Sequence, residues 1–191
     1  MNWLISYNHS GNGWVRYCIE YLTGLPTHGH QPFSMSQRDN NFLNLDLDKP
    51  PVVIKRHEIQ LHELNQNVDR VLLLVRNPYD AIKDYKDIKK EFQKYYNLIK
   101  VYEQFTGNKI YLNFNQLFNI KTIEKIIKFF NLKVNPNKLE LLRLTFNYHK
   151  QRSKSIHQNK MNLKGSDLKE IDIRLLNEIK YYWKDEKITT T

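Results

Sequence analysis

Trp3-Leu4-Ile5-Ser6-Tyr7-Asn8-His9-Ser10-Gly11-Asn12-Gly13-Trp14-Val15-Arg16 is the stretch that decides between fold classes. Its first five residues are a short apolar run bounded by the polar, glycine-containing segment Asn8 to Gly13, which predicts a buried strand. From Trp14 onward Val15, Cys18, Ile19 and Leu22 recur at helical spacing, and Gly24 followed by Pro26 supplies the stop. Strand, glycine loop and helix thus follow one another. In such a loop the glycines let main-chain N–H groups converge on an anion at the positive end of the helix, and a simple tight turn is the alternative reading.

Residues 25–51 hold turn signals without a sustained period and read as a long irregular connection. Val52-Val53-Ile54 and Val71-Leu72-Leu73-Leu74-Val75 predict two more buried strands, the latter continuous enough for a parallel sheet covered on both faces. Asn77-Pro78 opens a helix with a capping residue and a proline at its first position, and helical character continues with a break through Tyr102. Ile110 to Phe114 is a fourth strand and Ile120 to Phe130 an amphipathic helix, followed by helices over 137–148 and 167–183 with a basic, aperiodic stretch between them. Strands alternating with helices predict a three-layer α/β/α fold with a mainly parallel central sheet, which binds ligands at the carboxyl ends of its strands.

Composition narrows the partners. The chain has 191 residues with 30 Lys+Arg against 20 Asp+Glu, a formal charge of +10. Its length suits a single domain over 1–191, and the basic balance favours an anionic partner. A hydrophobic fraction of 40% excludes global disorder even though the mean hydropathy is −0.67. One cysteine, Cys18, excludes an intramolecular disulfide or a cysteine-rich zinc site and points to a reducing cytoplasm. No run approaches the ~18 apolar residues of a membrane span, and no signal peptide is read at the N-terminus. No metal is required, and no nucleic-acid reader module is matched.

Several motifs together resemble one family. Ser10-Gly11-Asn12-Gly13-Trp14-Val15-Arg16, followed by Tyr21-Leu22-Thr23-Gly24, resembles the phosphosulfate loop of sulfotransferases that use 3′-phosphoadenosine 5′-phosphosulfate (PAPS). Further along, Lys55-Arg56-His57 resembles that family's strand-end Lys-Thr-His, and Arg76-Asn77-Pro78-Tyr79-Asp80 its Arg-Asn-Pro-Lys-Asp. Tyr111 to Leu117 and Thr145 to Lys150 look like two later family segments. The order of the matches is the family's order, and they span nearly the whole chain. The chain is nevertheless shorter than many members, mostly between residues 25 and 105.

The resemblance implies a P-loop NTPase-like fold and transfer of a sulfuryl group to a hydroxyl or amine of a carbohydrate or small-molecule acceptor, with 3′,5′-adenosine bisphosphate as product. It implies that Ser10 to Trp14 cradle the phosphosulfate, and that Trp14 either stacks on adenine or packs in the core. It implies too that Arg76 pairs with the 3′-phosphate through a planar guanidinium. His57 would be the general base, with Glu58 a rival one residue on.

Three departures bear on activity. His9 stands where the family has a loop lysine, and would serve as a cation and proton donor beside a sulfonate. Gly13 stands where the family has threonine. Asp84 falls where a serine would meet the 3′-phosphate, a repulsion worth on the order of 1 kcal/mol at 4 Å in water. Either Asp84 points away or the phosphate is held by Lys83, or by Lys160 and Lys164, where Lys164-Gly165 resembles a C-terminal Arg-Lys-Gly segment. The alternatives are a catalytically degenerate nucleotide-binding relative and a nucleotide-dependent kinase, although the loop lacks the Gly-Lys-Ser/Thr of a Walker A motif.

Overall fold

The computed structural model describes residues 1–29, 45–46, 48–64, 68–82 and 87–156, with side chains through residue 147. Five parallel strands form one sheet: β1 (Asn2–Ser6), β2 (Thr27–His28), β3 (Val53–Arg56), β4 (Arg70–Val75) and β5 (Asn108–Asn113), in the spatial order β2-β3-β1-β4-β5. The helices are α1 (Asn12–Thr23), α2 (Leu61–Leu64), α3 (Pro78–Ala81), α4 (Ile88–Gln104), α5 (Ile120–Phe129) and α6 (Pro136–Ile156), with a 3₁₀ turn over Phe114–Phe118.

Strand alternation sorts the core into two halves. Trp3 and Ile5 of β1, with Val71, Leu73 and Val75 of β4, face α4, where Phe92, Tyr95, Leu98 and Ile99 complete one cluster. Leu4 of β1, with Leu72 and Leu74 of β4, faces the other way, into Val15, Cys18, Ile19 and Leu22 of α1 and Ile123, Ile126 and Ile127 of α5. Both faces of β1 and β4 are therefore dry, as their unbroken apolar runs require, and the sheet is the middle of three layers.

The chain leaves β1 towards β3 on one side and returns to β4 on the other. That reversal opens a crevice at the carboxyl end of β1, the place where open α/β sheets bind ligands. Register then decides what meets there. Ile5 pairs with Arg56, so Ser6 lies beside His57; Ser6 pairs with Leu74, so the loop after Tyr7 lies beside Arg76.

Besides the short α2 and the 3₁₀ turn, which the sequence does not announce, two elements differ from the sequence expectation. The irregular connection over 25–51 contains β2, whose Thr27 pairs with Val53 and His28 with Ile54. A buried polar knot ties it to α1. Arg16 donates from Nε to Thr27 Oγ1 (2.8 Å) and from Nη2 to the Thr27 carbonyl (2.9 Å), while Glu20 accepts from the Thr27 amide (3.3 Å) and hydroxyl. No apolar pattern announces a strand held in this way. The second difference is α6, which continues to Ile156 rather than ending near 148. The helix expected over 167–183 lies outside the described residues.

Candidate active site

Three strand ends build the site. After β1, His9 and Gly11 both take left-handed conformations, with φ of 60° and 93°, and fold the loop back over the sheet edge. Gly11 is required twice over. A Cβ there would lie 2.5 Å from Leu117 Cδ1 and 3.1 Å from Phe114 Cδ2, besides the strain of a positive φ. Gly11 is also the N-cap of α1, and its carbonyl accepts the first helical bond from Val15 N–H (3.2 Å). Among the described residues no side chain caps this end, and no acidic residue lies in the first turn. The positive end of the helix dipole is therefore not offset by a carboxylate of its own first turn, which makes the place suited to an anion.

The side chains of the loop contribute less than its main chain. Ser10 is fully buried, and Asn12 spends its amide on Ser6 Oγ (3.1 Å). At Gly13, the local helix backbone and chain neighbours aside, nothing among the described residues stands within 4 Å of where a Cβ would be. Of the two roles expected for Trp14, the structure displays core packing: only 9% of the residue is exposed, its ring stacks on Tyr17 at 5.8 Å and meets Phe146 edge-on at 5.7 Å. Its Nε1–H donates to the Leu117 carbonyl (3.0 Å).

His57 follows β3. Its Nδ1 lies 2.7 Å from the Ser6 carbonyl oxygen. A carbonyl only accepts, so Nδ1 carries the proton and Nε2 keeps the lone pair of the neutral ring. Burial pushes the His57 pKa down from the ordinary 6.5 to about 4; the Ser6 hydrogen bond opposes this, while the charges of Lys55, His9 and Arg16 reinforce it. The imidazole is thus neutral near pH 7, with its tautomer set. Glu58, the rival base, is turned to solvent: its side chain is 77% exposed and lies 3.8 Å from Lys94 Nζ.

Arg76 follows β4. Its Nη1 donates to the His9 carbonyl (2.9 Å), and its guanidinium lies over the Phe114 ring, 4.3 Å from the centroid. Burial lowers its pKa, which the charge of Asp80 partly opposes. Among the described residues it makes no ion pair with a carboxylate, and Arg76 Nε is buried without a hydrogen-bond partner. A cation held by neutral groups retains its capacity for a ligand anion.

His9 is exposed on the loop, and it is its carbonyl, not its ring, that the structure ties to Arg76. The site therefore brings together the loop Ser10 to Gly13, His9, His57 and Arg76. It does not bring Glu58 in. Asp84, Lys164 and Gly165, with Lys83 and Lys160, lie outside the described residues.

The groups that support the site carry no motif of their own. Phe114 and Leu117 form the floor under Gly11 and Trp14, and Tyr7 donates its hydroxyl to Glu91 of α4, which Lys94 also meets at 2.8 Å. Tyr95 of α4 bonds the Arg76 main chain. Tyr95 reads in the sequence as one more apolar position of an amphipathic helix, so its hydroxyl sent no signal.

No family model matches the chain, and no curated protein does either. Among solved structures, the crystal structure of mouse sulfotransferase SULT7A1 complexed with PAP is similar over 97% of this chain and 84% of that one, with a TM-score of 0.56 and 13% sequence identity. The fold is accordingly sulfotransferase-like, a parallel α/β sheet of P-loop type, as the motif order implies.

Proposed function

We propose that this chain is a single-domain sulfotransferase, over residues 1–191, moving a sulfuryl group from PAPS to a hydroxyl or amine of a carbohydrate or small-molecule acceptor. One observation carries the reading most directly: a neutral histidine with its Nδ1–H fixed on Ser6 stands beside an uncapped helix N-terminus. A base and an anion cradle at adjacent strand ends are what hydroxyl activation next to a phosphosulfate requires.

The residues fit the donor. The open first turn of α1, free of acidic residues, would hold the 5′-phosphosulfate with main-chain amides, and Arg76, lacking a carboxylate partner among the described residues, would hold the 3′-phosphate. PAPS supplies an electrophilic sulfur whose bond to the 5′-phosphate breaks to release 3′,5′-adenosine bisphosphate. His57 Nε2 takes the proton of the acceptor, and the Ser6 carbonyl steadies the imidazolium that forms through Nδ1–H. An anion on the neighbouring amides raises the His57 pKa from its low starting value and makes the ring a better base when the site is loaded. His9 supplies the loop's positive charge in its imidazolium form, in place of a lysine. The lone Cys18, buried and free, suits a reducing cytoplasm.

Calorimetric titration tests the reading. Binding of 3′,5′-adenosine bisphosphate at least tenfold tighter than 5′-adenosine monophosphate, with the preference lost in Arg76→Ala, is the expected result. Absence of binding by either nucleotide removes the donor assignment. If the bisphosphate binds and an acceptor screen with PAPS gives no sulfated product, the catalytically degenerate relative is the better description. His57→Ala should abolish turnover while leaving bisphosphate affinity within about threefold, whereas Glu58→Ala should leave both unchanged.

A further inference from the structure

Arg76 stands at an awkward point of the chain. The β4–β5 ladder ends with Val75 opposite Asn113, and the next helix is already closed by Asn77, whose side chain accepts from Tyr79 N–H (3.0 Å). The peptide groups of Arg76 therefore belong neither to the sheet nor to the helix. Both are taken by one side chain. Tyr95 Oη accepts from Arg76 N–H (3.2 Å) and donates to the Arg76 carbonyl (2.6 Å).

We propose that Tyr95 is a positioning residue that aims Arg76 at a nucleotide 3′-phosphate by clasping its main chain from α4. The inference rests on the reading of the site as one for PAPS. Tyr95 is 2% exposed, so its hydroxyl has no water to exchange with, and the single O–H proton is committed to the carbonyl. Burial also raises its pKa, which keeps that proton in place throughout the physiological range. The same ring packs against Tyr7 at 5.3 Å, where the loop leaves β1. One side chain thus fixes the roots of both anion-binding parts relative to each other.

The clasp matters because the other contacts of Arg76 are weak guides. The His9 carbonyl takes one N–H and the Phe114 ring supports the guanidinium plane, but neither prevents the residue from pivoting about its own φ and ψ. Closing both peptide groups of one residue on a rigid helix restrains that pivot. Precise aim is what bidentate recognition of a phosphate needs.

A double-mutant cycle decides the matter. Tyr95→Phe keeps the ring and removes the hydroxyl; Arg76→Ala removes the guanidinium. Titration of both variants and the double variant should show that Tyr95→Phe weakens 3′,5′-adenosine bisphosphate about tenfold. The 5′-monophosphate should stay within twofold, and the substitution should have no further effect in the Arg76→Ala background. Equal weakening of the two nucleotides, or the same loss with and without Arg76, overturns the proposal. Should the unaltered protein not prefer the bisphosphate, the PAPS reading fails separately, and hydrogen exchange of the Arg76 amide still judges the clasp. Exchange at least tenfold faster in Tyr95→Phe, at unchanged global stability, supports it, and unchanged exchange overturns it.

Discussion

Two adjacent strands leave the sheet at the same edge and enter helices in opposite ways. Between β1 and α1 the cap is a left-handed glycine with no side-chain bond and no acid in the first turn. Between β4 and α3 an asparagine side chain closes the cap, proline removes one N–H, and Asp80 sits in the first turn against the dipole. On the proposed reading the first junction offers its main-chain donors to a ligand anion, while the second satisfies its own. At the closed junction the functional group is instead a side chain, Arg76, and its peptide groups are secured by Tyr95. The nucleotide proposed for this site, with its two anionic ends, would use both kinds of ending side by side.

The open junction should fail most severely if its glycine is filled. Gly11→Ala forces a side chain into a positive φ and against Leu117, so a loss of about 3–4 kcal/mol in unfolding free energy is expected by urea denaturation. The imidazole beside that junction gives the next effect. The His57 pKa is lower in the folded than in the unfolded chain, so its contribution to stability is complete above pH 6.5 and is lost as pH falls towards 4. About 2 kcal/mol of acid sensitivity, after allowing for its partial exposure, should disappear in His57→Asn, as measured by urea titrations at pH 7 and pH 4.5. Bound bisphosphate should move the ring's titration upward in NMR.

A smaller change closes the open junction without damage. Gly13→Asp has room for its side chain and places a carboxylate in the first turn of α1. Thermal stability should hold or rise slightly while bisphosphate affinity falls about tenfold, a loss of roughly 1.4 kcal/mol. Opposite signs in melting and titration are the signature. The converse change, Asn77→Ala, opens the closed junction and should cost about 1 kcal/mol of stability with bisphosphate affinity unchanged within threefold. If Asn77→Ala weakens the nucleotide as much as Gly13→Asp does, the contrast between the junctions is mistaken.

The strands that could be read from sequence are those whose burial on both faces left unbroken apolar runs, β1 and β4 above all. The helix starts at Asn77-Pro78 and after the glycine loop were legible because capping is a local event. What escaped was structure made by single polar atoms at long range. Thr27 becomes a strand residue because Arg16 and Glu20 meet it inside the protein, a fact that no window of neighbouring residues contains. Trp14 had two open roles because an aromatic at a helix start serves either, and only the position of Leu117 shows where its indole N–H goes. Tyr95 hid within a helical pattern for the same reason. His57 and Arg76 are singled out by their motifs, whereas their pairing with Ser6 and His9 follows from sheet register.

The strand at the centre of the sheet has a consequence for assembly. In β1, Trp3 finds its neighbours at Ile54 on one side and Val71 on the other, so neither edge of this apolar segment can be satisfied by anything nearby in the chain. Loop-closure entropy must be met before the first of these pairings forms, which places the protein among chains that fold slowly through non-local contacts. Until β3 and β4 arrive, β1 exposes an unpaired hydrophobic edge. Conditions that delay them favour association between chains over folding within one.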